Sequence, residues 1–246
     1  MTAEQSRLAS VMVQVVDRLV ADFDFLDLAH SLVRSSVELL NATSAGVLVV
    51  DKAKELQMVA ASHEADPFLE IFELQRHQGP AYECWLSGEV IQESALAKSQ
   101  RWSEFAAKAM AQGCQSTVAV PLRLRGQTLG ALNVLWPYEG PVSPSDIQAA
   151  QALADLASVG LGQQAASIDP RQVALQLDQA VQSRTMVEQA KGMLVIQSQI
   201  PLDAAFELLS DYSQFSGTFL REVALQVIQR EINADSIQAA LAAKFK

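Results

Sequence analysis

Strand-forming and helix-forming patterns are separated along this chain. Short segments rich in β-forming residues lie between residues 45 and 135, where they alternate with segments of helical spacing. Beyond Pro170 the apolar residues repeat with the helical period of three and four. A chain of 246 residues can form one domain of typical size and a smaller second one. We therefore expect an α+β fold in which a mixed domain precedes an all-α module.

The clearest strand signal is a hairpin in the middle of the chain. Residues 117–124 and 128–135 are rich in β-forming residues, and Arg125-Gly126-Gln127 joins them. Glycine at this position can adopt the positive φ that a tight turn demands. Further strands are predicted at 45–50 and 56–61, paired across a turn at 51–54, and around residue 91. We expect an antiparallel sheet with the hairpin strands near its centre.

Helices are predicted on both sides of these strands. Apolar residues repeat with helical spacing over residues 3–20 and 26–40, and Asn41 terminates the second pattern. Ser143-Pro144-Ser145-Asp146 is typical of a helix start, and the helix is expected to run to about Val159. Shorter helices are predicted between the strands, at 66–74, 80–85 and 103–112. This order predicts a sheet with helices on one face and a variable pocket on the other.

Several short motifs in this region occur in the order typical of a known sensor family. They are Ser44-Ala45-Gly46-Val47, Gly79-Pro80, Arg101-Trp102, Pro121-Leu122 and Gly130-Ala131-Leu132-Asn133-Val134. Residues 22–162 resemble the GAF sensor family on these motifs. The resemblance implies an antiparallel-sheet domain that binds a small molecule or serves as a dimerisation scaffold, and it leaves the ligand open.

The ligands known for GAF domains point to different residues. Cys84 is a candidate for bilin attachment, although we interpret it as a buried core cysteine. His63 and His77 are candidate haem ligands, which we interpret as surface or capping residues. The Asn-Lys-Phe-Asp-Glu set of cyclic-nucleotide-binding members is absent. We predict no cofactor and no metal site, with the small-molecule ligand unknown. The tryptophans either line a pocket or fill the core: Trp85, Trp102 and Trp136.

The composition and the lack of long apolar runs indicate a globular protein without a membrane span. Half of the residues are apolar and 19% are charged, as in a globular protein. No apolar run approaches the roughly 18 residues of a membrane span, and the N-terminal segment lacks the core of a signal peptide. Two cysteines are too few for a disulfide framework, so we expect a cytoplasmic protein without membrane association. Since no paired acids, nucleophile–base set or phosphate loop occur, we expect no catalytic residues and no enzyme activity.

A cluster of glycine, serine and proline at residues 160–170 indicates a domain boundary. Beyond it, three amphipathic helices are predicted, over residues 172–197, 201–212 and 218–232. We divide the chain into an N-terminal amphipathic helix, a sensor domain, a linker, a three-helix module and a C-terminal tail, at residues 1–21, 22–162, 163–171, 172–235 and 236–246.

Two cations and a glycine stand out in the first of these helices. Arg184 and Lys191 are seven residues apart, which places them within about 20° of each other around the helix axis, beside Glu188. On spacing alone this is a solvated flank or a snorkelling pair bordering the apolar stripe. Gly192 follows directly, and a mid-helix glycine costs about 1 kcal/mol relative to alanine. This glycine indicates close approach of another helix or of a ligand backbone.

The three predicted helices carry the pattern of a second family. The residues are Ala180, Arg184, Val187, Glu188, Ala190-Lys191-Gly192, Leu194, Ala204-Ala205-Phe206, Leu209, Ser213-Gln214 and Leu220-Arg221-Glu222-Val223-Ala224. They resemble the ANTAR family over about 60 residues. The resemblance implies a homodimer that binds tandem stem-loops in a nascent transcript, so that a terminator hairpin does not form. Matching positions imply five RNA contacts, at Arg184, Lys191, Gly192, Ser213 and Arg221. We interpret Phe206 as a core residue.

Charge and loop composition leave two functions open. The net charge of −10 opposes RNA binding, although residues 1–167 carry −8 of it and residues 168–246 only −2. Gly217 and Phe219 stand where the family usually has asparagine and a further basic residue. One hypothesis is a signal-responsive transcription antitermination regulator. The other is a ligand-gated dimeric scaffold for protein interactions whose RNA face is degenerate.

Overall fold

The predicted hairpin forms the middle of a five-stranded antiparallel sheet in the computed structural model. The strands are β1 (Ser44–Val50), β2 (Leu56–Ala61), β3 (Ile91–Glu93), β4 (Ser116–Leu124) and β5 (Gln127–Trp136). Their order, β2-β1-β5-β4-β3, places β5 at the centre. Arg125 and Gly126 connect β4 to β5 with φ of 50° and 80°. Both values are positive, as the right-handed twist of a two-residue hairpin requires, and the predicted strands are confirmed.

The structure describes residues 24–64, 66–163 and 170–243. The predicted helix at residues 3–20 and most of the predicted linker lie outside this part of the chain. Two compact units are present, residues 1–178 and residues 179–246. Within the described ranges, no helix combines the length and the apolar character needed to cross a membrane.

Among the described residues of the first unit, five α-helices surround the sheet: α1 (Phe25–Leu40), α2 (Asp66–Leu74), α3 (Pro80–Ser87), α4 (Ser103–Ala111) and α5 (Pro144–Gln163). Helices α1 and α5 pack together against β1 and β4, while α3 packs against β4 and β5. Successive side chains of a strand point to opposite faces. The Trp136 indole N–H donates a hydrogen bond to the Leu40 carbonyl oxygen of α1. Its neighbour Leu135, on the opposite face, belongs to the core cluster formed with α2, α3 and α4. Helices therefore cover both faces of the sheet.

The ends of α1 and α5 test two of the helix predictions. Helix α1 ends at Asn41, whose φ of 47° and ψ of 42° give the left-handed cap expected of asparagine. Helix α5 continues to Gln163, so the predicted end near Val159 is wrong. Gly160 does not break this helix because its neighbour Leu161 extends the buried face. A glycine within a packed helix face is tolerated when the packing on either side of it continues.

The second unit contains one helix more than the sequence predicts. Its elements are α6 (Pro170–Ser198), which begins in the first unit, α7 (Leu202–Ser216), α8 (Leu220–Ile228) and α9 (Ala234–Ala243). Helix α9 was not predicted, and most of it falls in the segment assigned as a tail. It begins with reciprocal bonds between Asn233 and Ser236, both of 2.9 Å, and it packs on α7. The helix is rich in alanine, and Ile237 is the one large side chain that it buries. Its apolar periodicity is therefore weak.

Close approach between β1 and β5 depends on Gly130. A Cβ atom built at this residue would lie 2.0 Å from the carbonyl oxygen of Leu48, which is main chain and is fixed in the ladder. At Gly46 the nearest contact of an added Cβ is 2.5 Å, to the ring of Phe72. A side chain can shift to admit a methyl group, whereas a paired strand cannot.

We expect Gly130→Ala to lower the free energy of unfolding by about 3 kcal/mol or more, because the added methyl group overpacks the centre of the sheet. Gly46→Ala is the matched control and should cost less, since Phe72 can move. Urea unfolding of the full chain measures both variants. Equal stabilities of Gly130→Ala and the wild type would contradict the close approach described here.

Candidate nucleic-acid interface

Arg184 and Lys191 lie on the buried side of α6, and both form ion pairs with the carboxylate of Glu188. The Lys191 Nζ atom lies 3.0 Å from Oε2 of Glu188, and the Arg184 guanidinium forms an ion pair with Oε1 of the same residue. Arg184 is 5% exposed and Lys191 is 0% exposed. Burying a charge is costly unless it is paired and hydrogen-bonded. Glu188 therefore stabilises two buried cations at once.

An aromatic side chain of α7 lies beside this ion-pair network. The Lys191 Nζ atom lies 5.8 Å from the ring centroid of Phe206, a residue of α7 that is almost fully buried. Such a cation–π contact is stronger when both groups are removed from water. The prediction that Phe206 belongs to the core is confirmed. The apolar stripe of α6 is buried along with the two cations, at Val173, Ala180, Val187 and Leu194.

The spacing of Arg184 and Lys191 indicated a solvated flank or a snorkelling pair, and that interpretation is wrong for both residues. The reason is Glu188, which allows the charges to enter the packed side of α6 instead of remaining in water. Contact of either residue with RNA stays a prediction. In this packing, a phosphate would have to replace Glu188 as the partner of the cation.

Gly192 lies beside open space. A Cβ atom added to this residue would meet nothing within 4 Å, and the residue is half-buried. No described helix therefore approaches it closely enough to require glycine. The close approach that this mid-helix glycine indicates is not found among the described residues.

The α7–α8 loop is held in one conformation by bonds between its two ends. Ser213 donates its hydroxyl hydrogen to the carbonyl oxygen of Thr218 at 2.6 Å, and the Thr218 amide donates to the Ser213 carbonyl at 3.2 Å. Gly217 caps α7 with a left-handed φ of 67°. Glycine and asparagine are the residues that best tolerate this conformation. The departure from asparagine at this position therefore removes an amide side chain and keeps the backbone turn.

Arg221 lies on the far side of this loop, at the start of α8. Its Cζ atom is 5.1 Å from the ring centroid of Phe219, and its guanidinium is 3.8 Å from Glu222. The side chain is 38% exposed. Among the five predicted contacts, Arg184 and Lys191 come together at Glu188, while Ser213 and Arg221 flank the loop. The sequence prediction overlooked the aromatic residues here, although Tyr212, Phe215 and Phe219 around Gly217 are a visible signal.

In the first unit, apolar side chains fill the sheet face toward α2, α3 and α4. Phe72 is fully buried over Gly46, and Cys84 is buried in the same cluster. Burial raises the pKa of the Cys84 thiol to about 12, so this group is poorly nucleophilic. The interpretation of Cys84 as a core residue is confirmed. Trp85 and Trp102 pack against this cluster partly buried, while Trp136 is fully buried on the other face of the sheet.

A network of buried polar side chains joins the α2–α3 connection to this face of the sheet. The Gln75 amide donates to Oδ1 of Asn133 at 2.8 Å, and its own Oε1 accepts from the Ala81 amide at 2.9 Å. Asn133 donates in turn to the Thr117 hydroxyl at 2.7 Å. All three polar side chains are fully buried. Because its members are paired, the network fixes the α2–α3 connection on the sheet without an unsatisfied amide.

The histidines considered as haem ligands lie at the surface. His63 and His77 are both exposed, and His63 stacks on Phe68 with ring centroids 4.6 Å apart. Their assignment as surface residues is confirmed. Among the described residues, no group of three or more histidine, cysteine, aspartate and glutamate side chains is arranged to hold a metal ion.

Comparisons with known families agree with both resemblances. The family model of the GAF domain matches residues 24–161, and that of the ANTAR domain matches residues 175–228. The first match spans more than half of the chain, and the chain therefore belongs to the GAF domain family. Its GAF domain is followed by an ANTAR domain. This combination is that of a regulator of the antitermination type, since both domains are regulatory modules and not catalytic ones.

Solved structures share the fold of the first unit. The GAF domain of a Coxiella burnetii phosphoenolpyruvate-protein phosphotransferase is 13% identical, with a TM-score of 0.54 over 66% of this chain and 96% of that one. The corresponding domain from Acinetobacter is 15% identical, with a TM-score of 0.52 over 69% of this chain and all of that one. Identities this low establish the fold alone. A search of curated proteins gave no match.

We expect Glu188→Gln to destabilise the second unit by about 3 kcal/mol, because the substitution leaves two buried cations without their carboxylate. Glu222→Gln is the matched control at a partly exposed pair and should cost under about 1 kcal/mol. Hydrogen exchange of the α6 and α7 amides in the full chain measures both effects locally. Equal losses in the two variants would show that Glu188 is no more than a surface residue.

Proposed function

We propose that this protein is a signal-responsive antitermination regulator whose ANTAR domain binds tandem stem-loops in nascent RNA. The observation that carries the proposal is the ANTAR family match over residues 175–228, which spans α6, α7 and α8. Binding there prevents a terminator hairpin from forming, and no catalysis is involved. The GAF domain supplies the signal input through a ligand or a protein partner.

The RNA face that we propose comprises the α7–α8 loop and the open side of α6. Arg221 is the exposed cation of the loop, and Ser213 holds the loop in its conformation. Gly192 leaves room for a nucleic-acid backbone beside α6. Arg184 and Lys191 remain proposed contacts. Their ion pairs with Glu188 mean that they also maintain the packing of α6, so alanine at either site tests stability and RNA binding together.

Helix α6 is the proposed coupling element between signal and output. It is one continuous helix from Pro170 to Ser198, and the boundary between the two units falls within it. Close to that boundary, Asp178 accepts a hydrogen bond of 2.9 Å from Lys52 in the β1–β2 turn. A signal that alters the first unit can therefore act on α6 directly. In a homodimer, we propose that it changes the spacing or exposure of the two ANTAR domains.

A second candidate function is a ligand-gated dimeric scaffold for protein interactions. The observation that favours it is the burial of two of the six cations among residues 179–246, a segment that also contains seven acids. Such a surface is poor in the positive charge on which phosphate binding depends. The scaffold predicts that the full chain forms dimers and does not retain RNA at any salt concentration.

We expect Arg221→Ala to weaken binding of an RNA with two tandem stem-loops by about tenfold, because it removes a cation from the proposed face. Arg230→Ala removes an exposed cation outside the loop and should change the affinity by less than about threefold. Mobility shifts of the full chain measure both. A wild-type chain that does not retard this RNA would rule out the regulator and favour the scaffold.

We expect Gly192→Ala to stabilise α6 by about 0.5–1 kcal/mol, because the added methyl group meets no described atom and alanine is the better helix former. The same variant should bind RNA more weakly if a nucleic-acid backbone approaches this site. Thr185→Ala, at an exposed position of the same helix, is the control. Thermal unfolding and mobility shifts are measured together, and an unchanged RNA affinity removes Gly192 from the proposed face.

A further inference from the structure

Aromatic side chains gather around the α7–α8 loop. We define the loop aromatic surface as Tyr212, Phe215, Phe219 and Arg221. Tyr212 and Phe215 have ring centroids 6.4 Å apart, and Arg221 lies over Phe219 at 5.1 Å. Phe215 is 41% exposed, and Tyr212 and Phe219 are half-buried. Large aromatic groups are therefore open to solvent beside an arginine.

The backbone beneath this surface is fixed. Ser213 and Thr218 are joined by two hydrogen bonds across the turn, and Gly217 supplies the left-handed residue between them. Phe219 is the N-cap of α8 but forms no side-chain cap bond. Residues that usually occupy an N-cap have an oxygen that accepts from the helix amides. Phenylalanine at this position lacks that function, and its ring contributes to the surface instead.

The charge of the same unit limits how RNA can be held. Residues 179–246 contain six cations and seven acids, and two of the cations, Lys244 and Lys246, lie outside the described residues. Arg184 and Lys191 are buried with Glu188, whereas Arg221 and Arg230 reach solvent. Each phosphate neutralised contributes about −0.7 to the slope of log affinity against log salt for single strands. The four cations outside the Glu188 network account for a slope of at most about −2.8, a shallow dependence for a nucleic-acid-binding protein.

We propose that the loop aromatic surface stacks the unpaired loop bases of the RNA and carries most of the affinity. This inference rests on the proposed function and adds the mode of recognition. Every base has a π-face, and aromatic rings and arginine planes are the groups that stack on unpaired bases. Phe219 therefore replaces a phosphate-binding cation by a base-stacking ring.

The test compares two RNAs of the same tandem stem-loop sequence, one with intact loops and one whose loop nucleotides are abasic. The backbone charge is identical in both. We expect the full-length wild type to bind the intact RNA at least about tenfold more tightly, since one stacked base contributes about that factor. Fluorescence anisotropy over a range of salt concentrations should give a slope no steeper than about −2.8.

Phe219→Leu should bring the two affinities within about threefold of each other and leave the salt slope unchanged. Arg221→Lys keeps the charge and removes the planar group, so it should reduce the base preference in the same way. Leu225→Ala changes an exposed apolar residue of α8 outside the surface and should behave as wild type. Circular dichroism verifies that each variant is folded.

The other outcomes are distinct. If the wild type binds both RNAs equally, the stacking inference is overturned and the proposed function stands. If it binds neither RNA, the proposed function fails and the inference fails with it. If Phe219→Leu weakens dimerisation and leaves the base preference intact, the surface joins two copies of the chain, which also overturns the inference.

Discussion

The packing of the second unit depends on one carboxylate. Glu188 forms ion pairs with two cations that lie on the buried side of α6, and it offsets the cost of burying them. Phe206 adds an aromatic face near Lys191. The same interaction bears on the proposed function, because a phosphate that binds Arg184 or Lys191 has to compete with Glu188. In the proposed regulator, the groups around the α7–α8 loop can contact RNA without that competition.

The first unit is organised by a different constraint, the close contact of β1 with β5. Gly130 removes the side chain that would collide with the Leu48 carbonyl, and Gly46 allows Phe72 to lie on the sheet. The Gln75–Asn133 amide pair then fixes the α2–α3 connection above the same face. A core filled in this way transmits strain well, since close-packed interiors are poorly compressible. In the proposed function, a signal at this unit would reach the start of α6 through such a core.

Strong local signals made much of this architecture predictable. These signals are the Arg125-Gly126 turn, the Asn41 cap and the apolar periods of α1 and α7. Each depends only on residues that are close in the chain, so it can be identified from the sequence. Helix α9 has a weak apolar period and was missed. Burial of Lys191 was also missed, because it depends on Glu188 and on the surface of α7 together. The spacing of residues predicts the face of a helix on which a charged side chain lies, but it does not predict which residue pairs with that charge.

Sharing of Glu188 by two cations also sets an order in which sequences of this kind can diverge. Loss of either cation leaves Glu188 with a partner, whereas loss of Glu188 first leaves two buried positive charges without it. Replacement of the network by apolar residues is compatible with a stable core once all members have changed. The accessible evolutionary route therefore alters Arg184 or Lys191 before Glu188. Relatives that retain an acid here beside a single cation would be intermediates on that route.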